Sequence, residues 1–322
     1  MHKQLPTWQL IHQSLQQNIA VMLLYVLESK GSSPGRQGFM MAVNATGQMN
    51  GSLGGGIMEH KFIELAKLKL QQASTEISIH QQVHDKEAAK NQSGMICSGE
   101  QTIFLYTVKK EEATVIKHII SSLQQNKNGT LQLSPQQISF SEIIPAKNFN
   151  LQLKAGTDFL FTEKTGYKNT LSIIGGGHCA LALSQLMSSM DFYICLFDER
   201  KELNTIQQNY FVHEKKILDD YDSLSAVIAP GKSSYVVIMT VGYRTDAVAL
   251  KALLGKQYAY IGMLGSKHKA RKIFEQFRAE GVADEWLDLV HAPIGIAIKS
   301  QLPEEIAVSI AAQIIKVKNA FL

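Results

Sequence analysis

Apolar residues in this chain fall into two patterns: short continuous runs that read as buried strands, and spaced positions that read as helix faces. Leu10 to Gln17 has helical spacing, and Ile19 to Leu27 (IAVMLLYVL) follows as a buried strand. A polar break from Glu28 to Gly38 (ESKGSSPGRQG) separates it from a second apolar strand, Phe39 to Val43. The segment GSLGGGIMEH, Gly51 to His60, then runs directly into the amphipathic helix KFIELAKLKL. A polar strand over Thr75 to Val83, an apolar strand over Gln101 to Val108 and a helix over Glu111 to Gln125 come next. Short strands and turns fill the stretch from Asn126 to Lys168.

Beyond Lys168 the pattern becomes an α/β alternation. Leu171 to Ile174 is a short apolar run, as in a strand buried on both faces, and a glycine turn follows it. Ala182, Leu183, Leu186 and Met187 recur at helical spacing, and Phe192 to Phe197 is the next buried strand. Val236 to Thr240 and Tyr258 to Leu264 continue the series. Pro303 opens a last helix whose buried stripe is Ile306, Ile310, Ile314 and Val317, although Leu302 before it supplies no capping oxygen. The predicted fold class is α/β: an N-terminal α/β domain over residues 1–168, then a C-terminal Rossmann-like domain with a parallel sheet over 169–322.

Composition narrows the function classes. No apolar run approaches the length of a membrane span, and the start, MHKQLPTWQLIHQ, lacks the apolar core of a signal peptide, so a cytoplasmic protein with no membrane partner is expected. Cys97, Cys179 and Cys195 are odd in number and widely spaced, which indicates free thiols rather than a disulfide framework or a paired zinc site. Through Lys168 there are 16 Lys and Arg against 12 Asp and Glu, while the remainder balances 16 against 16. No basic run is interleaved with aromatics, so nucleic acid is not expected. The excess suits a small anionic ligand, an acidic partner surface or simply solubility.

Several loops carry candidate chemistry. Gly175 and Gly177 suit a tight turn and close approach of backbone to a phosphate, His178 opens the helix, and Ala180 takes the close-packing position. Asp198 ends the next strand, where a ribose-binding carboxylate belongs. Ser32, Ser33 and Arg36 could wrap an oxyanion or could only turn a hairpin. Gly54, Gly55 and Gly56 make a backbone cradle at a helix start, with Glu59 one turn in, either complementing the helix dipole or bonding a polar ligand. Cys97 stands between two glycines ahead of a strand, placed to meet a ligand. Thr240, Arg244 and Asp246 lie where open parallel sheets bind ligands, and Gly265, Ser266 and Lys267 form either an anion site or a capped, solvated first turn. His291 sits in HAPIG, a turn after a short strand, while His60 and His80 read as surface residues.

Taken in order, GSSPGRQG, GSLGGGIMEH, GMICSGE, IIGGGHCALAL, MLGSKHK and HAPIG with PEEIAVSIAAQII resemble the XdhC/CoxI family, from about Gly31 to Lys318. The resemblance implies an accessory factor that binds molybdenum cofactor and delivers it, in sulfurated form, to an apo xanthine dehydrogenase-type hydroxylase. It also implies a cysteine desulfurase as a further partner and a homodimer. On it, Cys97 becomes a soft ligand for molybdenum, with Ser98 departing from the family loop. Val241 and Tyr243 replace both histidines of the family motif that Thr240 to Asp246 resembles. Two further classes stay open: an NAD(P)-dependent oxidoreductase using the glycine turn, and a regulatory protein that binds another adenine nucleotide. No paired proton donor at recognisable spacing supports the oxidoreductase.

Overall fold

The computed structural model describes residues 2–83, 99–153 and 158–320. The chain divides into two compact units, Met1–Gly166 and Tyr167–Leu322.

In the first unit the helices are α1 (Leu5–Gln16), α2 (Gly56–Gln71) and α3 (Ala113–Gln124). Its strands are β1 (Val21–Gly31), β2 (Met40–Asn44), β3 (Met49–Gly51), β4 (Ser78–Val83), β5 (Gly99–Thr107), β6 (Gly129–Leu133), β7 (Ile138–Ser141), β8 (Phe149–Leu153) and β9 (Phe159–Thr165). They form an antiparallel five-stranded sheet, order β3-β2-β1-β5-β4, and an antiparallel four-stranded one, order β7-β6-β9-β8. The continuous apolar run that marks β1 has a simple cause. Val21, Leu23, Tyr25 and Leu27 enter one core with α1, α3 and the smaller sheet, while Met22, Leu24 and Val26 enter another with α2. A central strand covered on both faces loses the alternation of a surface strand, even in an antiparallel sheet.

The second unit is a parallel sheet, order β12-β11-β10-β13-β14-β15. Its strands are β10 (Asn169–Ile174), β11 (Phe192–Asp198), β12 (Glu214–Ile217), β13 (Gly231–Ile238), β14 (Tyr258–Met263) and β15 (Val290–His291). The helices are α4 (His178–Met187), α5 (Asn204–Gln207), α6 (Leu224–Val227), α7 (Tyr243–Ala252), α8 (Lys267–Ala279), α9 (Asp284–Leu287) and α10 (Pro303–Asn319). β10 lies between β11 and β13 in register, Thr170 opposite both Tyr193 and Ser234, and the strand order reverses there. That reversal is the topological switch point, where ligands of such sheets bind. Ala180, Leu183 and Met187 of α4 pack with Ala307, Ile310 and Ile314 of α10 on one face, and α7 and α8 cover the other.

The predicted fold class is the observed one, with local corrections. α1 starts at Leu5, with Pro6 in its first turn, because a proline there gives up no intrahelical bond. β1 runs on to Gly31, past the expected break at Glu28, because a bulge between Val26 and Glu28 lets polar residues continue the pairing with β5. Pattern reading gave no sign of β12, four residues long, whereas the short strand expected before HAPIG is β15, which takes in His291 itself. His80 is not a surface residue: it is half-buried and packs edge-on to Phe62, so burial pushes its pKa below the usual histidine value. Ahead of α10, Glu305 reaches back to accept from the N–H groups of Gln301 (2.7 Å) and Leu302 (3.2 Å), which replaces the missing cap. Among the described residues no helix is long and apolar enough to cross a membrane.

Candidate functional site

Three consecutive glycines carry β10 into α4, and each meets different surroundings. Gly175 has φ +102°, and a Cβ there would lie 2.3 Å from the Met239 carbonyl oxygen, so the turn closes directly on the loop after β13. A Cβ on Gly176 would strike Ile206, at 2.4 Å from Cγ1. At Gly177 the backbone is extended (φ −73°, ψ −171°) and a Cβ would meet no atom within 4 Å. Gly177 is also the N-cap of α4 and provides no side-chain cap, with His178 exposed beside it. An uncapped helix start presents unsatisfied N–H groups and positive potential, which is an anion site by construction.

Asp198 ends β11 as expected, but its carboxylate is engaged on all sides. Oδ2 accepts from Gly176 N–H (2.6 Å) and Arg200 Nη2 (2.7 Å), and Oδ1 accepts from the Arg200 backbone N–H and Nε, both at 2.8 Å. Burial pushes this carboxyl up, yet the Arg200 guanidinium and the two backbone N–H groups outweigh it and hold the pKa below the ordinary value. Thr205 donates to the Gly176 carbonyl, so α5 closes over the turn.

On the other side of the switch point, Thr240 follows β13 and donates through N–H (2.9 Å) and Oγ1 (2.5 Å) to Asp246, which is wholly buried. Lys269 of α8 pairs with the same carboxylate and donates to the Leu264 carbonyl at 3.1 Å. The two loops are therefore tied by a buried ion pair. Ser266 caps α8 by accepting from Lys269 N–H (3.2 Å), while Lys267 is exposed, an arrangement that matches the capped, solvated first turn. Gly265, at φ +159°, leaves room for the Lys269 stem, which a Cβ would meet at 2.7 Å. Tyr243 donates to Gln276 (2.8 Å) and lies beneath Lys272, so the position of a family histidine is spent on packing α7 to α8. His291 ends β15 stacked on Tyr260 (4.8 Å between centroids), and burial lowers its pKa.

In the first unit another glycine cluster forms. Gln101 of β5, fully buried, donates to the carbonyls of Gly35 (3.0 Å) and Leu53 (3.2 Å) and so joins the loop after β1 to the glycine loop before α2. Gly99 lies where a Cβ would be 2.6 Å from Ser33 N, bringing the start of β5 into the same cluster. Ser33 is buried and bonds the Gly35 carbonyl (3.0 Å), whereas Ser32 is exposed and the Arg36 guanidinium folds onto the Gly31 carbonyl (2.9 Å). Glu59 has a definite role: its Oε2 accepts from Ser52 Oγ (2.7 Å), Leu53 N–H (2.7 Å) and Gly55 N–H (3.0 Å). An internal carboxylate thus takes one of the N–H groups that the glycine cradle was expected to offer an outside anion, that of Gly55, together with the preceding Leu53 N–H. Gly54, Gly55 and Gly56 all hold positive φ, which side-chain-bearing residues rarely adopt.

Gly175, Gly177, His178, Asp198, Thr240, Gly265, Ser266 and Lys267 are therefore gathered by the sheet topology at the carboxyl ends of its strands, and His291 ends the outermost of these strands. Ser32, Ser33, Arg36, Gly54 to Gly56 and Glu59 belong to the cluster around Gln101 in the first unit. Cys97 lies outside the described residues. Pattern reading missed Gln101, Arg200 and Lys269. Of these only Arg200 carried a local signal, a guanidinium two residues after the strand-ending acid.

This geometry, a glycine-led helix start at the switch point of a parallel sheet, defines a Rossmann-type domain. The model of the XdhC Rossmann domain matches residues 171–314, and that of the XdhC and CoxI family matches residues 14–80. The chain belongs to the XdhC and CoxI family. It is 24% identical over 308 residues to the uncharacterized protein YqeB of Escherichia coli K12, covering 94% of this chain and 44% of that one. It therefore spans less than half the length of that relative. A Bacillus subtilis protein described as a probable xanthine dehydrogenase component is 20% identical over 318 residues, covering 92% of this chain and 93% of that protein. A Bacillus halodurans crystal structure described as a xanthine dehydrogenase shares the fold, with TM-score 0.70 and 23% identity over 98% of this chain and 96% of the other.

Proposed function

We propose that this protein carries molybdenum cofactor as cargo and hands it, in sulfurated form, to a xanthine dehydrogenase-type molybdenum hydroxylase. The observation that carries this reading is the start of α4, where Gly177 leaves its surroundings open and no side chain caps the helix. The pterin's phosphate needs such donors, and the N–H groups of the first turn at Gly177 and His178 would hold it. Family membership and the names of the relatives support the choice of cargo and recipient. Sulfuration requires a sulfur donor, and a cysteine desulfurase is the proposed one.

A soft thiolate suits molybdenum, and Cys97 is the proposed ligand. The other two thiols are poor candidates. Burial and the nearby Glu304 push Cys179 up, and burial with Glu214 pushes Cys195 up to about 12, so both stay protonated near neutrality.

The test is Gly177→Val. Its backbone conformation is one any residue adopts and a Cβ there meets no protein atom within 4 Å, so the variant should fold like the parent. Produced in a host that makes the cofactor and passed through gel filtration, the parent should retain pterin, measured by fluorescence after oxidative release, and should activate an apo-hydroxylase. Gly177→Val should lose both. Full retention by a folded Gly177→Val defeats the proposal, as does absence of pterin from the parent. Cys97→Ser, with Cys179→Ser and Cys195→Ser as controls, separates the thiolate role from the phosphate site.

A further inference from the structure

A carboxylate at the end of the second strand of a Rossmann half ordinarily receives the ribose hydroxyls of an adenine dinucleotide. Here that place is filled by the chain itself. The Asp198 side chain is 0% exposed, and its two oxygens already accept four hydrogen bonds, two of them from the Arg200 guanidinium. Gly176 N–H bonds Oδ2 directly at 2.6 Å, which ties the turn to the strand-ending acid. Above it sits Ile206, with Cγ1 and Cδ1 2.4 and 2.7 Å from the position of a Cβ on Gly176. The covering segment is pinned at both ends. Thr205 donates to the Gly176 carbonyl, and Asn209 Nδ2, fully buried, donates to Ser184 Oγ at 3.0 Å on α4. No such cover exists at Gly177, where a Cβ meets nothing within 4 Å.

We infer that the glycine turn excludes the adenosine half of a dinucleotide and takes a ligand whose single phosphate-bearing end sits at Gly177. This rests on the proposed phosphate site and adds its specificity: Arg200, Thr205 and Ile206 are the residues that reject NAD(H) and NADP(H). To bind, either dinucleotide would have to detach Arg200 from Asp198 and lift Ile206 from the turn. Binding would lose those contacts before making its own.

The full chain is titrated calorimetrically with NADH, NADPH and AMP, and molybdopterin retention is measured on the same preparations. Wild type should give no saturable heat with any of the three up to about 1 mM, the weak end of useful affinity. The double variant Arg200→Ala/Ile206→Ala frees the carboxylate and the space above the turn, and should bind NADH at least about tenfold more tightly than wild type, a gain of about 1.4 kcal/mol. Ile206→Ala alone, which keeps the Arg200 pair, should show a smaller gain and serves if the double variant does not fold. Saturable binding of NADH or NADPH by wild type overturns the inference even where molybdopterin is retained. Failure of the folded variants to gain affinity overturns the assignment to these residues. Loss of molybdopterin retention with NADH still rejected would count against the proposed cargo alone.

Discussion

Replacing Lys269 by methionine should be among the most damaging single changes in the second unit, and the structure sets the scale. Asp246 is 0% exposed and accepts from Thr240 N–H, Thr240 Oγ1 and the Lys269 ammonium. Methionine keeps the aliphatic stem but leaves the carboxylate buried without its countercharge, and breaking a buried pair from one side destabilises by about 3–5 kcal/mol. Asp246→Asn leaves a different remainder. The Lys269 side chain is 23% exposed and can turn to water, so the loss should be about 1–3 kcal/mol, the cost of unmade hydrogen bonds. The double variant should be more stable than the sum of the two losses by about 0.5–3 kcal/mol, the usual range for coupled neighbours. Urea unfolding of the four proteins in a Trp8→Phe background, followed by the fluorescence of Trp286 in α9, measures the cycle. Additive losses, or a Lys269→Met loss below that of Asp246→Asn, would refute the claim that this carboxylate depends on its lysine.

Three further outcomes follow from local geometry. Gly35→Ala should destabilise by more than about 4 kcal/mol, since its Cβ would lie 1.9 Å from the Leu53 carbonyl oxygen, whereas Gly55→Ala, with φ +82° but no atom within 4 Å, should cost about 1–2 kcal/mol by differential scanning calorimetry. Glu59→Ala should lower stability by about 1–3 kcal/mol through the orphaned N–H groups of Leu53 and Gly55, with Glu59→Gln recovering part of the loss, as read from urea midpoints. Because the Asp198 pKa is depressed in the folded chain, its stabilisation is present above the unfolded value of about 3.9 and disappears as pH falls through the folded value. The stability gap between wild type and Arg200→Ala should therefore be widest near neutral pH and narrow below about pH 4.

Much of the second unit was legible because its signals are local. The glycine spacing, the helical stripe and the strand-ending acid all fall within Leu171 to Asp198, and a βα unit folds them together with few choices. What those residues do once folded was not legible. Asp198 stands where a ribose-binding carboxylate belongs, but the residues that occupy it, Arg200 and α5, show no periodicity that would mark them. Glu59 sits in the helix turn where its position suggested, yet whether its carboxylate meets a ligand or its own loop depends on positive φ angles at Gly54 and Gly55 that no pattern reveals. Lys267 drew notice as the cation following a glycine and a serine, but it is Lys269, one residue from the next turn of α8, that carries the buried pair. Gln101 is a polar residue at the start of an apolar strand, and its clamp on Gly35 and Leu53 spans 66 and 48 residues, beyond any local reading.

The packing of α10 on α4 bears on how the chain is made. α4 carries the uncapped glycine start at the beginning of the second unit, but its inner face, Ala180, Leu183 and Met187, is covered by Ala307, Ile310 and Ile314 of α10. Gln313 of α10 also accepts from Tyr260 (2.6 Å) and from Gly295 N–H (2.7 Å), fixing the turn after β15. During synthesis at about 5–20 residues per second, α4 leaves the ribosome well before these partners exist, and its apolar face must wait several seconds for them. A nascent chain paused before α10 would therefore offer chaperones an uncovered α4 rather than a finished second unit.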